Sequence, residues 1–331
     1  MNTHHRIFPC ALALLALAPT TSAFAWQAEK LTDGLVIPWG LAYINDNSML
    51  VTEKSGVIKH IDLKTGDQNT LFRLPNVWAK GQGGLLDIAL SPFENGRFYV
   101  TYSKDVDGEG VTTLASGNYS NNEITNWTDV FVSKSRTDTG RHFGSRITFD
   151  ESHLYFSIGD RGDRDNGQDT MTHAGSILRL NADGSTPSDN PFTDNNKVLN
   201  EIWSYGHRNP QGLFYDAPTQ KLWSIEHGPR VGESETKDGI EAPKKVYVPS
   251  IAPGSLIVYQ GDKYPELKGK LLAGALKLTH INIVTVNEQG QATEEERILE
   301  DLGERIRDIE TSPSGDIFFS TDNGNLYRLK K

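Results

Sequence analysis

The chain has 331 residues, with 33 Lys+Arg against 43 Asp+Glu, a formal net charge of −10 and no lysine- or arginine-rich block. This balance argues against nucleic acid and anionic membrane surfaces as partners. The single cysteine, Cys10, lies within the first 25 residues, so disulfides, thiolate catalysis and cysteine metal sites are excluded from the rest of the chain.

The opening stretch, MNTHHRIFPCALALLALAPTTSAFA, combines Arg6, an apolar run from Phe8 to Pro19 and the small-residue exit Ala23-Phe24-Ala25. It reads as a secretory signal peptide cut after Ala25, because the apolar run is too short to span a bilayer. Nothing later is apolar enough to insert in a membrane. The expectation is an exported, soluble protein, and the A-x-A exit suggests a bacterial periplasm. Loss of Arg6 would leave 32 basic against 43 acidic residues, a net charge of −11. Residues 26–331 must then hold together without disulfides, and are long enough to do so as one large domain.

Along this region one grammar recurs: an alternating apolar strand, a polar turn rich in Asp, Asn or Gly, then a second alternating strand. It begins at Trp39 (WGLAYINDNSMLVTEKSGVIKHID), Leu86, Ser145, Gly212 (GLFYDAPTQKLWSIEHG), more loosely at Gly254, and again at Ile306 (IRDIETSPSGDIFFSTDNGNLYRL). Strand side chains alternate between faces, so each unit is a hairpin signature. Starts spaced by roughly one four-stranded blade predict an all-β fold, a six-bladed β-propeller of four-stranded antiparallel blades. A two-sheet sandwich is the alternative. In a propeller, function concentrates in the connections at one end of the central channel.

Five of the inter-strand stretches are unlike ordinary turns: GQGGLLDIAL (81–90), GRHFGSRI (140–147), SYGHRNPQG (204–212), EHGPR (226–230), and the pair ALKLTH (275–280) with ERIRDIE (304–310). Taken singly, each is ordinary. Gln82 could cap a glycine-rich turn, His142 could be a turn histidine, and Arg305 and Arg307 could be solvated on one strand face. Taken together they combine one histidine, suited to general-base work near neutrality, with the cations Arg208, Lys277, Arg305 and Arg307, which suit carboxylates. One base beside several cations suits an oxidation assisted by a polyanionic cofactor. No glycine fingerprint for a nicotinamide or flavin follows a strand, and there is no HExxH.

The stretches HFGSRITFD, ILRLNADGSTPSDNPF, EIWSYGHRNPQG, EHGPR and RIRDIETSPSGD resemble the soluble pyrroloquinoline-quinone-dependent aldose sugar dehydrogenases of the glucose/sorbosone dehydrogenase group, over almost all of the mature chain. The resemblance implies a six-bladed propeller with the quinone at the channel mouth. It implies that His142 takes the proton from the anomeric hydroxyl while the C1 hydride passes to the quinone, leaving a lactone. It places Gln82 near quinone and sugar, Arg208 and Asn209 along the cofactor, and Lys277, Arg305 and Arg307 around its carboxylates and carbonyls. The backbone carbonyls of Gly228 and Pro229 would bind a calcium ion that clamps the quinone. The partners implied are an aldose and an external electron acceptor, since no C-x-x-C-H haem attachment is present. Monomer and dimer are both left open.

The chain departs from the family pattern after EHGPR. Glu233 and Ser234 stand at an aspartate and a glutamate position, a Tyr-Gly-Trp segment is absent, and Val248 replaces a tryptophan of several relatives. A second calcium site and part of the aromatic cover of the quinone would be lost with that segment. Arg141 and the loop DRGDRDNGQD (160–169) replace sugar-binding residues. The loop's aspartates do not follow EF-hand spacing and read as a solvated acidic loop. Two rival readings follow: a non-catalytic sugar- or partner-binding propeller that has lost the cofactor, and a lactonase, which would need several metal-ligating acids and histidines converging on the channel.

Overall fold

Hairpin turns of this chain are written in its residue types. Asp107-Gly108 and Asn121-Asn122 each hold two successive residues at positive φ (54° and 85°, 50° and 61°), the primed turn whose twist matches that of the strands it joins. They connect the antiparallel strands Arg97–Val106, Glu109–Ser120 and Glu123–Val132, and Leu85–Leu90 completes a four-stranded sheet. The computed structural model describes residues 25–228 and 242–331. The expected signal peptide, up to residue 24, and Pro229 therefore lie outside the described residues.

Further four-stranded sheets begin at Pro38–Asn45, Ile147–Phe149 and Pro253–Val258. Another joins the two ends of the described chain: Gln27–Thr32 pairs antiparallel with Leu326–Lys330, beside Ile317–Thr321 and Ile306–Thr311. The edge strands Pro38–Asn45, Leu85–Leu90, Ile147–Phe149, Pro210–Asp216, Pro253–Val258 and Ile306–Thr311 touch one another in that order, and the last touches the first. They enclose a central channel, with a cavity of about 260 Å³ lined by Tyr43, Ile88, Phe149, Phe214, Ile257 and Glu310 among others. The molecule is an all-β propeller.

Among the described residues five four-stranded blades are present, not the six predicted. Where the sixth was expected, Pro210–Asp216 pairs, among the described residues, with Lys221–Glu226 in a two-stranded sheet. The sequence next described, APKKVYVPSIAP, forms no strand before Pro253. Pro243 and Pro249 offer no amide donor to a ladder, and the two lysines between them break the apolar alternation.

The apolar core lies between neighbouring blades. Ile58, Leu85, Phe98 and Ala115 form one such layer, Tyr99, Leu114, Phe156 and Leu178 the next. A strand covered on both faces is a continuous buried run, as in LYFSI at Leu154–Ile158. No helix among the described residues is long and apolar enough to cross a membrane.

Inside the channel one buried cation ties the ring together. Arg146, 5% exposed, donates through Nη1 to Asp87 Oδ1 and Asp308 Oδ1, each at 2.7 Å, through Nε to the Gln211 carbonyl (3.1 Å) and through Nη2 to the Gly254 carbonyl (2.8 Å). Asp87 accepts the Ile147 amide (2.7 Å) and Asp308 the Leu41 amide (2.8 Å). Every one of the six inner strands thus touches this network. Burial pushes Asp87 and Asp308 above the usual carboxylate range against the pull of Arg146, and the charge of Asp308 raises Asp87 further.

Candidate active site

His142 sits at the entrance to the inner strand Ile147–Phe149, in left-handed backbone (φ 52°) and 7% exposed. Such a conformation is costly for a residue with a Cβ and persists where its surroundings enforce it. Here they do. The His142 amide donates to Gln82 Oε1 (2.8 Å), and Arg161 Nη1 donates to the His142 carbonyl (2.8 Å). Its Nδ1 lies 2.5 Å from Asp160 Oδ1, and Asp160 is 2% exposed. With Nδ1 so occupied, Nε2 is the nitrogen left for chemistry.

Close backbone approach brings these parts together. The Gln82 amide donates to the Gly140 carbonyl (2.8 Å), and a Cβ on Gly81 would lie 2.3 Å from that same oxygen. Only glycine lets the two loops meet there, which seats Gln82 against His142. On the other side a Cβ on Gly159 would fall 2.2 Å from the His142 carbonyl. Beneath them Phe143 packs on Trp78 (5.6 Å between rings), and the Arg161 guanidinium lies 4.4 Å from the centre of the Phe143 ring.

The Arg208-Asn209 turn is anchored to the same loops. Asn209 Oδ1 accepts the Gly144 amide (3.1 Å), the Arg208 carbonyl accepts the Asp160 amide (2.8 Å), and Glu226 Oε2 accepts the Arg208 amide (2.7 Å). The Arg208 guanidinium donates to the His227 carbonyl (2.5 Å). His227 itself is held below its usual pKa, first by burial and then by Arg208, His142, Lys277 and Arg305. Four residues singled out in the sequence thus lie within electrostatic reach of His227. Among the described residues His227 Nδ1 is buried without a hydrogen-bond partner, an open polar valence beside these charges.

Arg305 and Arg307 do share a face, and both reach Asp322. Arg305 Nε lies 2.8 Å from Asp322 Oδ2, while Arg307 binds Oδ1 (2.8 Å) and Oδ2 (2.9 Å) and also donates to Gln211 Oε1 (3.1 Å). Arg307 is buried and Arg305 exposed. Burial would raise the Asp322 carboxyl, yet the two arginines hold it below the usual range. Lys54 is lowered by burial and by Arg307, so it belongs to this cluster. Lys277 is exposed, and Arg305 donates to the carbonyl of its neighbour Leu276 (3.1 Å). The ring of Trp39 carries Arg146 at 4.5 Å and Arg307 at 5.8 Å, linking the channel network to the mouth.

Of the expected calcium ligands, Gly228 is described, with φ 138° and its backbone against Arg208, and Pro229 lies outside the described residues. Among the described residues no group of three or more His, Asp or Glu side chains converges on a metal-sized site. The loop expected to be a solvated acidic stretch is not uniformly so: Asp160 is buried on His142, and Asp163 caps the short helix Arg164–Gln168 through the Asp165 amide (3.1 Å).

Asp160 and Asp322, missing from the predicted site, had a signal in hairpin register. The ladder Ile147↔Phe156, continued outward, sets His142 opposite the Asp160-Arg161 pair. The ladder Ile306↔Thr321 sets Arg305 opposite Asp322.

Comparison with known proteins gives the same outline. The family model described as glucose/sorbosone dehydrogenase matches residues 35–234 and 230–328. An aldose sugar dehydrogenase of Escherichia coli strain K12 is 34% identical over 359 residues, covering 97% of this chain and 95% of that protein. The crystal structure of the soluble Escherichia coli aldose sugar dehydrogenase in its apo-form superposes with a TM-score of 0.86 at 34% identity, over 92% of this chain and 99% of that one. The PQQ-bound form of aldose sugar dehydrogenase from Streptomyces coelicolor shares the fold, with a TM-score of 0.77 at 24% identity over 92% of this chain and 98% of that one.

Proposed function

The chain belongs to the glucose/sorbosone dehydrogenase family, and from that premise we propose that it oxidises aldoses at C1 to lactones, with pyrroloquinoline quinone as cofactor and His142 as general base. The observation that carries the reading is the His142–Asp160 pair beside a cluster of cations. A buried carboxylate on Nδ1 fixes the ring and favours the imidazolium that forms when Nε2 takes the anomeric proton. Gln82, locked to the His142 amide, borders the same pocket.

The donor set fits the cofactor. Arg208, Lys277 and Arg305 stand around His227, and at Asp322 two arginines meet one carboxylate. This surplus of positive charge suits a planar tricarboxylate. When bound, the quinone supplies the acceptor for the C1 hydride. The residues' part is to bind its carboxylates, to hold the sugar within reach and to remove one proton at His142. Calcium, preferring oxygen, would take the Gly228 and Pro229 backbone carbonyls and further oxygens from the quinone. We place the mature protein in the periplasm after removal of residues 1–25, passing electrons to an external acceptor.

The test is to reconstitute the purified protein with pyrroloquinoline quinone and calcium and to follow dye reduction with several aldoses. Turnover together with quinone absorbance retained after desalting is the expected result. No turnover and no retained absorbance would overturn the reading in favour of a non-catalytic propeller.

A further inference from the structure

The pocket beside His142 has a volume of about 400 Å³ and is bordered by Gln82, Arg141, Asp160, Arg164 and Arg208. Three of these are arginines, on a protein of net charge −10. The one carboxylate of the lining, Asp160, is buried and engaged by His142 Nδ1 and by the Gly162 amide (2.7 Å), so it is not a counter-ion for them. Arg208 is anchored on the His227 carbonyl and belongs to the cations assigned to the cofactor.

Arg141 and Arg164 are different. Both are exposed, and among the described residues neither has a hydrogen bond or an ion pair. Arg141 runs over Gly162, where an added Cβ would lie 3.1 Å from its Cδ, so it extends toward the loop that carries Arg164. The two guanidinium groups therefore border the pocket beside the general base with no internal anion among the described residues to satisfy them. A concave site lined by one sign of charge concentrates ligands of the other, and a planar guanidinium matches carboxylate or phosphate oxygens in pairs.

We propose that this pocket selects aldoses bearing a second, anionic group, the carboxylate of a uronic acid or the phosphate of a sugar phosphate, and that Arg141 and Arg164 receive it. The proposal rests on the aldose-oxidation reading and narrows its substrate class. The chemistry at C1 is unaltered: the C1–H pair of electrons leaves as hydride to the quinone, the hydroxyl proton goes to His142, and the C1–O bond becomes the lactone carbonyl. The anionic group forms and breaks no covalent bond.

The experiment compares glucose, glucuronate and glucose 6-phosphate as substrates of the reconstituted holoenzyme, and titrates the same sugars into the quinone-free protein by calorimetry. At low ionic strength, kcat/KM for at least one anionic sugar should exceed that for glucose by about tenfold, through KM, and the advantage should shrink as salt screens the charges. Whichever of the two anions carries the advantage identifies the group. The Arg141→Ala/Arg164→Ala double variant should lose about tenfold in that ratio and lose the calorimetric signal for the anionic sugar. Glucose turnover with no anionic preference overturns this proposal and leaves the aldose reading standing. A double variant that fails to retain quinone assigns the two arginines to the cofactor and overturns it as well. No turnover of any sugar, with arginine-dependent binding of the anionic one, overturns the aldose reading and keeps the anion site.

Discussion

At the mouth of the channel two arginines, Arg305 and Arg307, share one carboxylate, Asp322, with Lys54 close by. A short way inside, the ratio inverts, and the single cation Arg146 serves two carboxylates, Asp87 and Asp308. The same side-chain types therefore give opposite electrostatics: Asp322 is held below the usual carboxylate range, Asp87 and Asp308 above it. The interior network is closed, each Arg146 nitrogen finding an acceptor on an inner strand. The mouth is open, with surplus positive charge and a buried His227 nitrogen lacking a partner. A satisfied network holds six strands in a ring, whereas an unsatisfied one is available to a ligand.

The largest effect expected from that contrast is at His142. The variant His142→Ala should lower kcat by about 10²- to 10⁴-fold while quinone absorbance is retained, because the residue lies at the mouth and belongs to none of the Arg146 bonds. An undiminished rate in single-turnover measurements would break the division, since the base would then lie elsewhere. The counterpart is Arg146→Ala. Removing the only cation between two buried carboxylates should cost about 3–5 kcal/mol of folding stability, read from urea denaturation. The loss should be larger at pH 8 than at pH 5, where protonation of Asp87 and Asp308 relieves the stranded charge. A variant of unchanged stability would show that the inner strands do not depend on this hub.

The division was only partly legible in the sequence. Alternating hairpins and turns such as Asp107-Gly108 announced blades, because strand period and turn chemistry are local properties. The count of four-stranded blades was not legible, since GLFYDAPTQKLWSIEHG looks like every other unit, and the proline-interrupted residues 242–252 that are next described carry no strand. Lys277, Arg208 and His142 were found as isolated motifs, and their convergence around His227 depends on ring closure. Arg146 shows the limit most plainly. It stands four residues from His142 in the same motif, yet its partners Asp87 and Asp308 are 59 and 162 residues away in sequence, and no local pattern signals them.

The smallest effect expected sharpens the comparison by sign rather than size. Glu310 borders the channel cavity and is pushed up to about 8, first by burial and then by the charges of Asp308 and Asp87. Its folded-state value lies above the ordinary 4.5, so between roughly pH 4.5 and 8 the folded protein holds a proton that the unfolded chain has released. Stability contributed by this group is present at the acid end of that window and declines as pH rises through it. Asp322, depressed by its arginines, works in the other direction: its contribution is present above the ordinary carboxylate pKa and is lost as pH falls through its lower folded value. Glu310→Gln should therefore match the unaltered protein near pH 5 and exceed it at pH 8.5 by about 1–2 kcal/mol, with the channel partly wetting the carboxylate. Urea midpoints at the two pH values measure this. An equal gain at both would assign the effect to packing, and no gain would mean that the Glu310 carboxylate is hydrated in the channel.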